Sequence, residues 1–277
     1  MIARRIPNLL VPGTQKSGTT FLCAHLRRHP KIYFAKPKEP HFFNKKGIGD
    51  ADFHRYLEEF FPESAVSAKG EGLMYLAEGS TTYFQSDVAL DNVLRYLGNH
   101  VRAIICLRHP VEKAVSFYLH NWRRGRLAGT ERLLDVDAPG MSIYKAAFCA
   151  PHANRWIKAL GRERVLFLRY DLLREDSLEF VRQATEFLEI EVPRRVETRK
   201  INMGFALKLD GESFSPVIEP SDLIDDQVVP RFLLSDLEHL LKLFKDDIMK
   251  TEKTIGVDLS GWKTLPSFDD QKAGGIE

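Results

Sequence analysis

The sequence predicts an α/β fold, a mostly parallel central sheet flanked by helices. Short apolar runs bounded by glycine or polar residues alternate along the chain with longer segments whose apolar residues recur every three or four positions, the order expected of strand-helix-strand crossovers. The 277 residues, 44% hydrophobic and 28% charged, are divided by no Pro/Gly/Ser-rich linker, repeat or low-complexity stretch. One domain is therefore expected over residues 1–277.

Ile6–Pro12 is mostly apolar and ends at Gly13, and a helical pattern starts near Gly18 with Phe21, Leu22, His25 and Leu26 on one face. The expectation is a strand, a glycine-rich turn and a helix. A second strand is expected over Lys31–Ala35. Asp50–Phe61 reads as an amphipathic helix, with Phe53, Tyr56, Leu57 and Phe60 on one face and Pro62 to end it. Leu73–Ala77, Val101–Leu107 and Arg164–Arg169 have the length and apolar content of buried strands. Helical periodicity fills Ser86–Leu97, Pro110–Trp122, Ser142–Leu160 and Ser177–Leu188. Residues 191–230 are polar, proline-containing and without a period, so a long loop or flap is expected there. A last helix is expected over Arg231–Lys250, burying Phe232, Leu233, Leu237, Leu240, Leu241 and Phe244.

Composition narrows the function classes. Cys23, Cys106 and Cys149 are odd in number, have no close pairing, and two sit inside apolar runs. That suits neither a disulfide framework nor a zinc site and reads as small core residues in a reducing compartment. No stretch approaches the about 18 unbroken apolar residues of a membrane span, and the first apolar run is too short for a signal peptide. A cytoplasmic chain with no membrane partner is expected. Charge is uneven: residues 1–50 hold ten Lys/Arg against Glu39 and Asp50, a net of +8, so in a chain of net charge +2 the remainder carries −6. The bias points to an anionic ligand near the N-terminal segment. The basic stretch is short and lacks any recognised nucleic-acid pattern, so no nucleic-acid partner is expected.

Pro12-Gly-Thr-Gln-Lys-Ser-Gly-Thr-Thr-Phe21 puts glycines and small hydroxyl residues where a strand hands over to a helix. Unpaired backbone N–H groups and the positive end of the helix dipole favour a phosphate at such a junction. Gly13 and Gly18 allow the tight turn, Lys16 adds a charge, and Ser17, Thr19 and Thr20 add hydroxyl donors. In a nucleoside-triphosphate loop a lysine directly follows the last glycine and a Ser/Thr then holds magnesium. Here Lys16 precedes Gly18 and Thr19 follows it, which favours a phosphate anchor with no obligatory metal. Val101–Leu107 leads into a second junction, with Arg108 at the strand's carboxyl end, Pro110 opening a helix, and Ser116 about two turns further on. Arginine at such a rim suits a phosphate, and open α/β sheets bind ligands at the carboxyl ends of their strands.

Together these two segments resemble the sulfotransferases that use 3′-phosphoadenosine-5′-phosphosulfate (PAPS). In that family the 5′-phosphosulfate loop reads like Gly13–Leu22, and the 3′-phosphate motif is an arginine followed eight positions later by a serine. The resemblance implies a P-loop-kinase-like sulfotransferase architecture with PAPS as co-substrate and no metal. Lys16 would contact the bridging oxygen of the leaving phosphosulfate, with Ser17, Gly18, Thr19 and Thr20 around it. Arg108 and Ser116 would bind the 3′-phosphate. Val165–Asp176 is similar to the family too, and there Tyr170 would touch adenine; so is the ending Ile255–Trp262. Family members close a basic flap over the nucleotide, for which Arg199, Lys200 and Lys208 are the candidates.

Lys36-Pro-Lys-Glu-Pro-His-Phe-Phe43 sets Glu39 and His41 two residues apart in an extended segment, so that both face one way, while Phe42 or Phe43 anchors the segment in the core. Either group could take an acceptor's proton. The segment resembles the Glu-x-His-Phe-Phe of the heparan-sulfate-type branch, which implies Glu39 as base with His41 assisting. In the cytosolic small-molecule branch the base is a histidine elsewhere, for which His109 and His120 are the candidates. Glu78–Tyr83 resembles the family's acceptor-side turn, with Thr81 where a proline is common. Trp122, Arg123, Arg124 and Arg126 are candidates to receive an acidic or sugar-like acceptor. The implied function is transfer of a sulfuryl group from PAPS to a hydroxyl or amine of a small-molecule or saccharide acceptor. The alternatives are a P-loop small-molecule or nucleotide kinase, which would need magnesium and a lysine after the last glycine, and a nucleotide-binding module without a base.

Overall fold

Leu9, Leu10 and Val11 are each fully buried, and a strand covered on both faces marks a parallel sheet enclosed by helices. The structure, a computed structural model, describes residues 5–136, 143–196, 206–218 and 227–268. In chain order its elements are β1 (Leu9–Gly13), α1 (Thr19–Arg28), β2 (Ile32–Phe34), α2 (Asp50–Phe60), α3 (Glu63–Ser67), β3 (Tyr75–Glu78), α4 (Asp87–Leu97), β4 (Arg102–Leu107), α5 (Pro110–Trp122), α6 (Ala150–Leu160), β5 (Val165–Arg169), α7 (Tyr170–Glu175), α8 (Ser177–Phe187), β6 (Leu207–Asp210), β7 (Ser213–Pro216), β8 (Phe232–Leu233) and α9 (Leu234–Ile255). Among the described residues no helix is long and apolar enough to cross a membrane.

The elements fall into two compact units. The first takes in the described residues of Met1–Arg108 and His152–Ile201. Its five strands are parallel in the order β2-β3-β1-β4-β5. From β1 the chain goes to the β2 edge, whereas its other neighbour β4 hands on to β5. The carboxyl ends of β1 and β4 therefore flank a topological switch point, where open α/β sheets bind their ligands. Phe21, Leu22 and Leu26 of α1 and Phe180, Val181 and Ala184 of α8 cover one face, packed with Leu9, Val11, Ile104, Cys106 and Leu168. Cys23 and Cys106 lie in that core, and burial pushes the Cys23 thiol up to about 12.

The second unit takes in the described residues of His109–Pro151 and Asn202–Glu277. It contains α5, α9 and an antiparallel sheet of β6, β7 and β8. Tyr118 of α5 meets Phe232 edge-on at 5.2 Å. Asp247 of α9 accepts from the backbone N–H groups of Cys149 (2.8 Å) and Ala150 (3.0 Å), satisfying donors at the start of α6.

Three expectations need correction. Residues 191–230 are not one structureless loop: Leu207–Asp210 and Ser213–Pro216 pair as a hairpin, so Lys208 sits on β6 opposite Ser215. The two-residue turn is Gly211-Glu212, with Gly211 at φ +58. Leu207 is buried while Leu209 is 46% exposed, so this short strand lacks the buried run that marks the others. Arg199 and Lys200 lie outside the described residues. The last helix starts at Leu234 because Phe232 and Leu233 pair with β7, and it continues to Ile255, where Gly256 closes it at φ +64. The helix expected from Ser142 begins only at Ala150, with Pro151 in its first turn. The short helices α3 and α7 were not anticipated.

Candidate functional site

Residues 14–18 carry the chain from β1 to α1. The Thr14 hydroxyl donates to the Cys106 carbonyl (3.0 Å) and accepts from Ser17 Oγ (2.7 Å), while the Thr14 N–H reaches the same carbonyl at 2.8 Å. The loop is thus pinned to the end of β4, and the buried Ser17 hydroxyl, expected as a ligand donor, is engaged inside it. Gly18 has φ +82. A Cβ there would lie 2.6 Å from Leu173 Cδ2 and 3.1 Å from Tyr170 Cδ2, so glycine is what lets α7 close onto the loop. The α1 N-terminus has no side-chain cap and no acidic residue in its first turn, which holds Thr19 and Thr20. That end favours an anion.

Arg108 follows β4 and donates from Nη1 to the Lys16 carbonyl (3.1 Å). Its guanidinium also lies 4.3 Å from the centre of the Tyr170 ring, a stacked cation-π contact. Lys16, itself in the left-handed region at φ +63, therefore has its backbone fixed by Arg108. Lys16, Gly18, Arg108 and Tyr170, drawn from the carboxyl ends of β1, β4 and β5, are brought to one place.

Glu39 is the centre of a second cluster. Lys38 Nζ reaches its Oε1 at 2.7 Å, the Thr81 hydroxyl donates to Oε2 at 3.0 Å, and His41 Nε2 lies 3.3 Å from Oε2. Burial would raise the Glu39 carboxyl, but the Lys38 ammonium, by charge and hydrogen bond, then Thr81 and His41, hold it below the ordinary carboxylate value. The His41 backbone N–H in turn donates to Ser80 Oγ (3.0 Å), and the His41 ring bonds Thr82 Oγ1 through Nδ1 (3.0 Å). Phe42 and Phe43 anchor this segment against Tyr56 of α2, Phe42 stacking on it at 4.4 Å. The segment holding Glu39 and the turn after β3 are thereby one structure. Lys38 also reaches Thr19 Oγ1 at 3.3 Å, which joins the cluster to α1.

Sequence reasoning did not single out Glu78 beyond naming it as the start of that turn. It is fully buried, accepting from Tyr56 OH (3.1 Å) and Tyr83 OH (3.0 Å) on one oxygen and from Ser80 Oγ (2.6 Å) on the other. Burial pushes its carboxyl from 4.5 to about 7 against the pull of those three hydroxyls. Between these values the fold binds more protons than the unfolded chain, so the group's contribution is complete below pH 4.5 and is lost as pH rises through 7. Thermal melts should therefore show the parent losing ground to Glu78→Gln between pH 5 and 8.5, by on the order of 3 kcal/mol. Parallel pH courses for the two proteins would mean that Glu78 stays ionised in the fold.

In the second unit, Ser116 and His120 are half-buried on α5, and Lys208 is exposed. His109 accepts from the Val111 N–H at Nδ1 (3.2 Å) and faces the Thr264 carbonyl through Nε2 (3.0 Å), which requires a proton on Nε2. Nδ1 is engaged in the N-cap of α5 and Nε2 on the Thr264 carbonyl, leaving neither to receive a substrate proton. Trp122 is fully buried with its indole N–H on the Val228 carbonyl (3.0 Å), so it packs inside the unit and is no acceptor contact. Arg123, Arg124 and Arg126 are exposed.

A family model for the sulfotransferase domain matches residues 7–203. The chain belongs to the sulfotransferase domain family. The chain is 25% identical over 201 residues to the human bifunctional heparan sulfate N-deacetylase/N-sulfotransferase 1, an alignment covering 67% of this chain and 22% of the relative. It is 25% identical over 202 residues to the mouse heparan sulfate glucosamine 3-O-sulfotransferase 3B1, covering 68% of this chain and 47% of the relative. The chain thus matches less than a quarter of the first relative's length and less than half of the second's. The crystal structure of a sulfotransferase from Alicyclobacillus acidocaldarius shares the fold, with a TM-score of 0.65 over 93% of this chain and 99% of that one at 24% identity.

Proposed function

We propose that this sulfotransferase moves the sulfuryl group of PAPS onto a hydroxyl or amine of a small-molecule or saccharide acceptor. The observation that carries the reading is the link through Lys38, whose ammonium touches both Glu39 Oε1 and Thr19 Oγ1. A proton acceptor and a helix terminus suited to phosphate are joined by one side chain. Both relatives described above are heparan sulfate sulfotransferases by name, one an N- and the other a 3-O-sulfotransferase. They support a saccharide acceptor and leave both amine and hydroxyl open.

The reaction is an in-line displacement. A bond forms from the acceptor oxygen or nitrogen to sulfur as the bond from sulfur to the phosphate oxygen breaks. The acceptor's proton goes to Glu39, with His41 beside it, and the electron pair stays on the departing phosphate. Lys16 and the N–H groups of Gly18, Thr19 and Thr20 meet the charge that grows there. Tyr170 takes the adenine, Arg108 and Ser116 bind the 3′-phosphate, and Lys208 belongs to the flap. The products are a sulfated acceptor and 3′-phosphoadenosine 5′-phosphate (PAP).

Calorimetry tests the donor. PAP should bind without divalent metal, and Arg108→Ala should weaken it about ten- to a hundredfold, the effect of losing one charge-assisted bond worth roughly 1.5–3 kcal/mol. ADP, which lacks the 3′-phosphate, should be weakened less than PAP by Arg108→Ala. Equal PAP affinity in parent and Arg108→Ala would remove Arg108 from the site, and binding of ATP with magnesium in preference to PAP would favour the kinase. A mass-spectrometric screen of extracts for products that gain a sulfuryl group identifies the acceptor.

A further inference from the structure

We propose that Lys38 is a positioning residue for the transfer, a cation that fixes the Glu39 carboxylate against the loop holding the donor. The inference deepens the sulfuryl-transfer reading and rests on it. Lys38 lies in a lysine-rich run that a sequence reader would leave to solvent, yet its side chain is only 17% exposed. An ammonium so far withdrawn from water needs an anion and further acceptors, and Glu39 Oε1 at 2.7 Å and Thr19 Oγ1 at 3.3 Å supply them.

The backbone makes room for this reach. Gly79 donates its N–H to the Lys38 carbonyl (3.1 Å), and a Cβ on Gly79 would sit 3.6 Å from Lys38 Cε and 2.9 Å from Cys23 Sγ. The bare edge of Gly79 is thus the surface along which the lysine stem passes toward α1.

The consequence for Glu39 is geometric first. Lys38 holds one oxygen while Thr81 and His41 hold the other, so the carboxylate cannot rotate without breaking contacts on both sides. It is also electrostatic. The titratable groups around Glu39 are Lys38 and His41 on its own segment, Glu78 at the end of β3 and Cys23 on α1. Of these Lys38 is the first to oppose the effect of burial, by charge and by hydrogen bond.

The test pairs an activity measurement with one that does not need activity. Carboxyl-carbon NMR, with the Glu39 signal assigned by its loss in Glu39→Gln, follows the Glu39 midpoint in the parent, Lys38→Met and Lys38→Arg. Lys38→Met should move the midpoint upward and lower kcat roughly ten- to a hundredfold, with PAP affinity within about threefold of the parent. Lys38→Arg should bring midpoint and kcat back toward parental values. An unmoved midpoint overturns the proposal. So does a PAP affinity that falls by the same factor as kcat, which makes Lys38 a nucleotide ligand. A parent that transfers from PAPS to no acceptor in the extract screen defeats the sulfuryl-transfer reading and the catalytic half of this one; the midpoints report the Lys38–Glu39 pair in either case.

Discussion

Replacing Glu39 by glutamine is expected to lower turnover by roughly 10²–10⁴-fold, the range for loss of a general base. Glutamine keeps the size of the side chain and one oxygen, which serves Lys38 or Thr81 but not both, and it cannot take a proton. PAP affinity should stay near parental because Glu39, in the proposed reaction, serves the acceptor and not the nucleotide. The melting temperature should fall by about 2–4 °C, the effect of about 1 kcal/mol in a protein of this size. The pH profile of the parent follows from the same contacts. Burial would raise Glu39, but Lys38, Thr81 and His41 bring it below 4.5, so the carboxylate persists as pH falls and the acid limb of kcat/KM should lie below that value. A base this weak suffices because an acceptor hydroxyl becomes strongly acidic as its oxygen bonds to sulfur, so the proton leaves late. Steady-state kinetics on Glu39→Gln, His41→Ala and His120→Ala decide the assignment. Near-parental turnover in Glu39→Gln with collapse in a histidine variant would move the base to that histidine. An acid limb near pH 6.5 in the parent would point the same way.

The five parallel strands could be located from sequence because each is a short, largely buried apolar run, so local composition alone marks it. α5 was equally readable: Pro110 at its first position and His109 as its N-cap set the start, and the bounds Pro110–Trp122 are those expected. The phosphate-type loop was legible for a similar reason, since the backbone demands of Gly13 and Gly18 leave a local signature. The β6–β7 hairpin was hidden by its composition, with Lys208, Leu209 and Asp210 all exposed. Its one local mark is Gly211, which opens the turn with Glu212.

What no local pattern could show is contact between distant segments. Lys38 looks like any surface lysine until α1 and Gly79 are set beside it. Glu78 looks like a turn residue until Tyr56 of α2 closes over it, 22 positions away. Arg108 was read as a phosphate ligand at a strand end. Its hold on the Lys16 carbonyl and its stacking on Tyr170 depend on β1, β4 and β5 lying side by side.

Lys16→Ala should slow transfer by roughly 10²–10³-fold, the usual result of removing one donor aimed at developing charge. PAP affinity should change far less, by under about tenfold. The separation is expected because the lysine's partner, the bridging oxygen, gains its full negative charge only as the bond to sulfur breaks, and an interaction that strengthens in the transition state appears in the rate. The Lys16 carbonyl is held by Arg108, and the Thr14 and Ser17 hydroxyls brace the loop from within. Alanine at φ +63 meets the same backbone strain that lysine already bears, so the loop should keep its shape and the N–H groups of α1 their direction. Single-turnover rates measured beside calorimetric PAP affinities separate the two effects. If rate and affinity fall by one common factor, Lys16 is a ground-state anchor for the nucleotide, and the charge on the departing oxygen must be met by the α1 N-terminus alone.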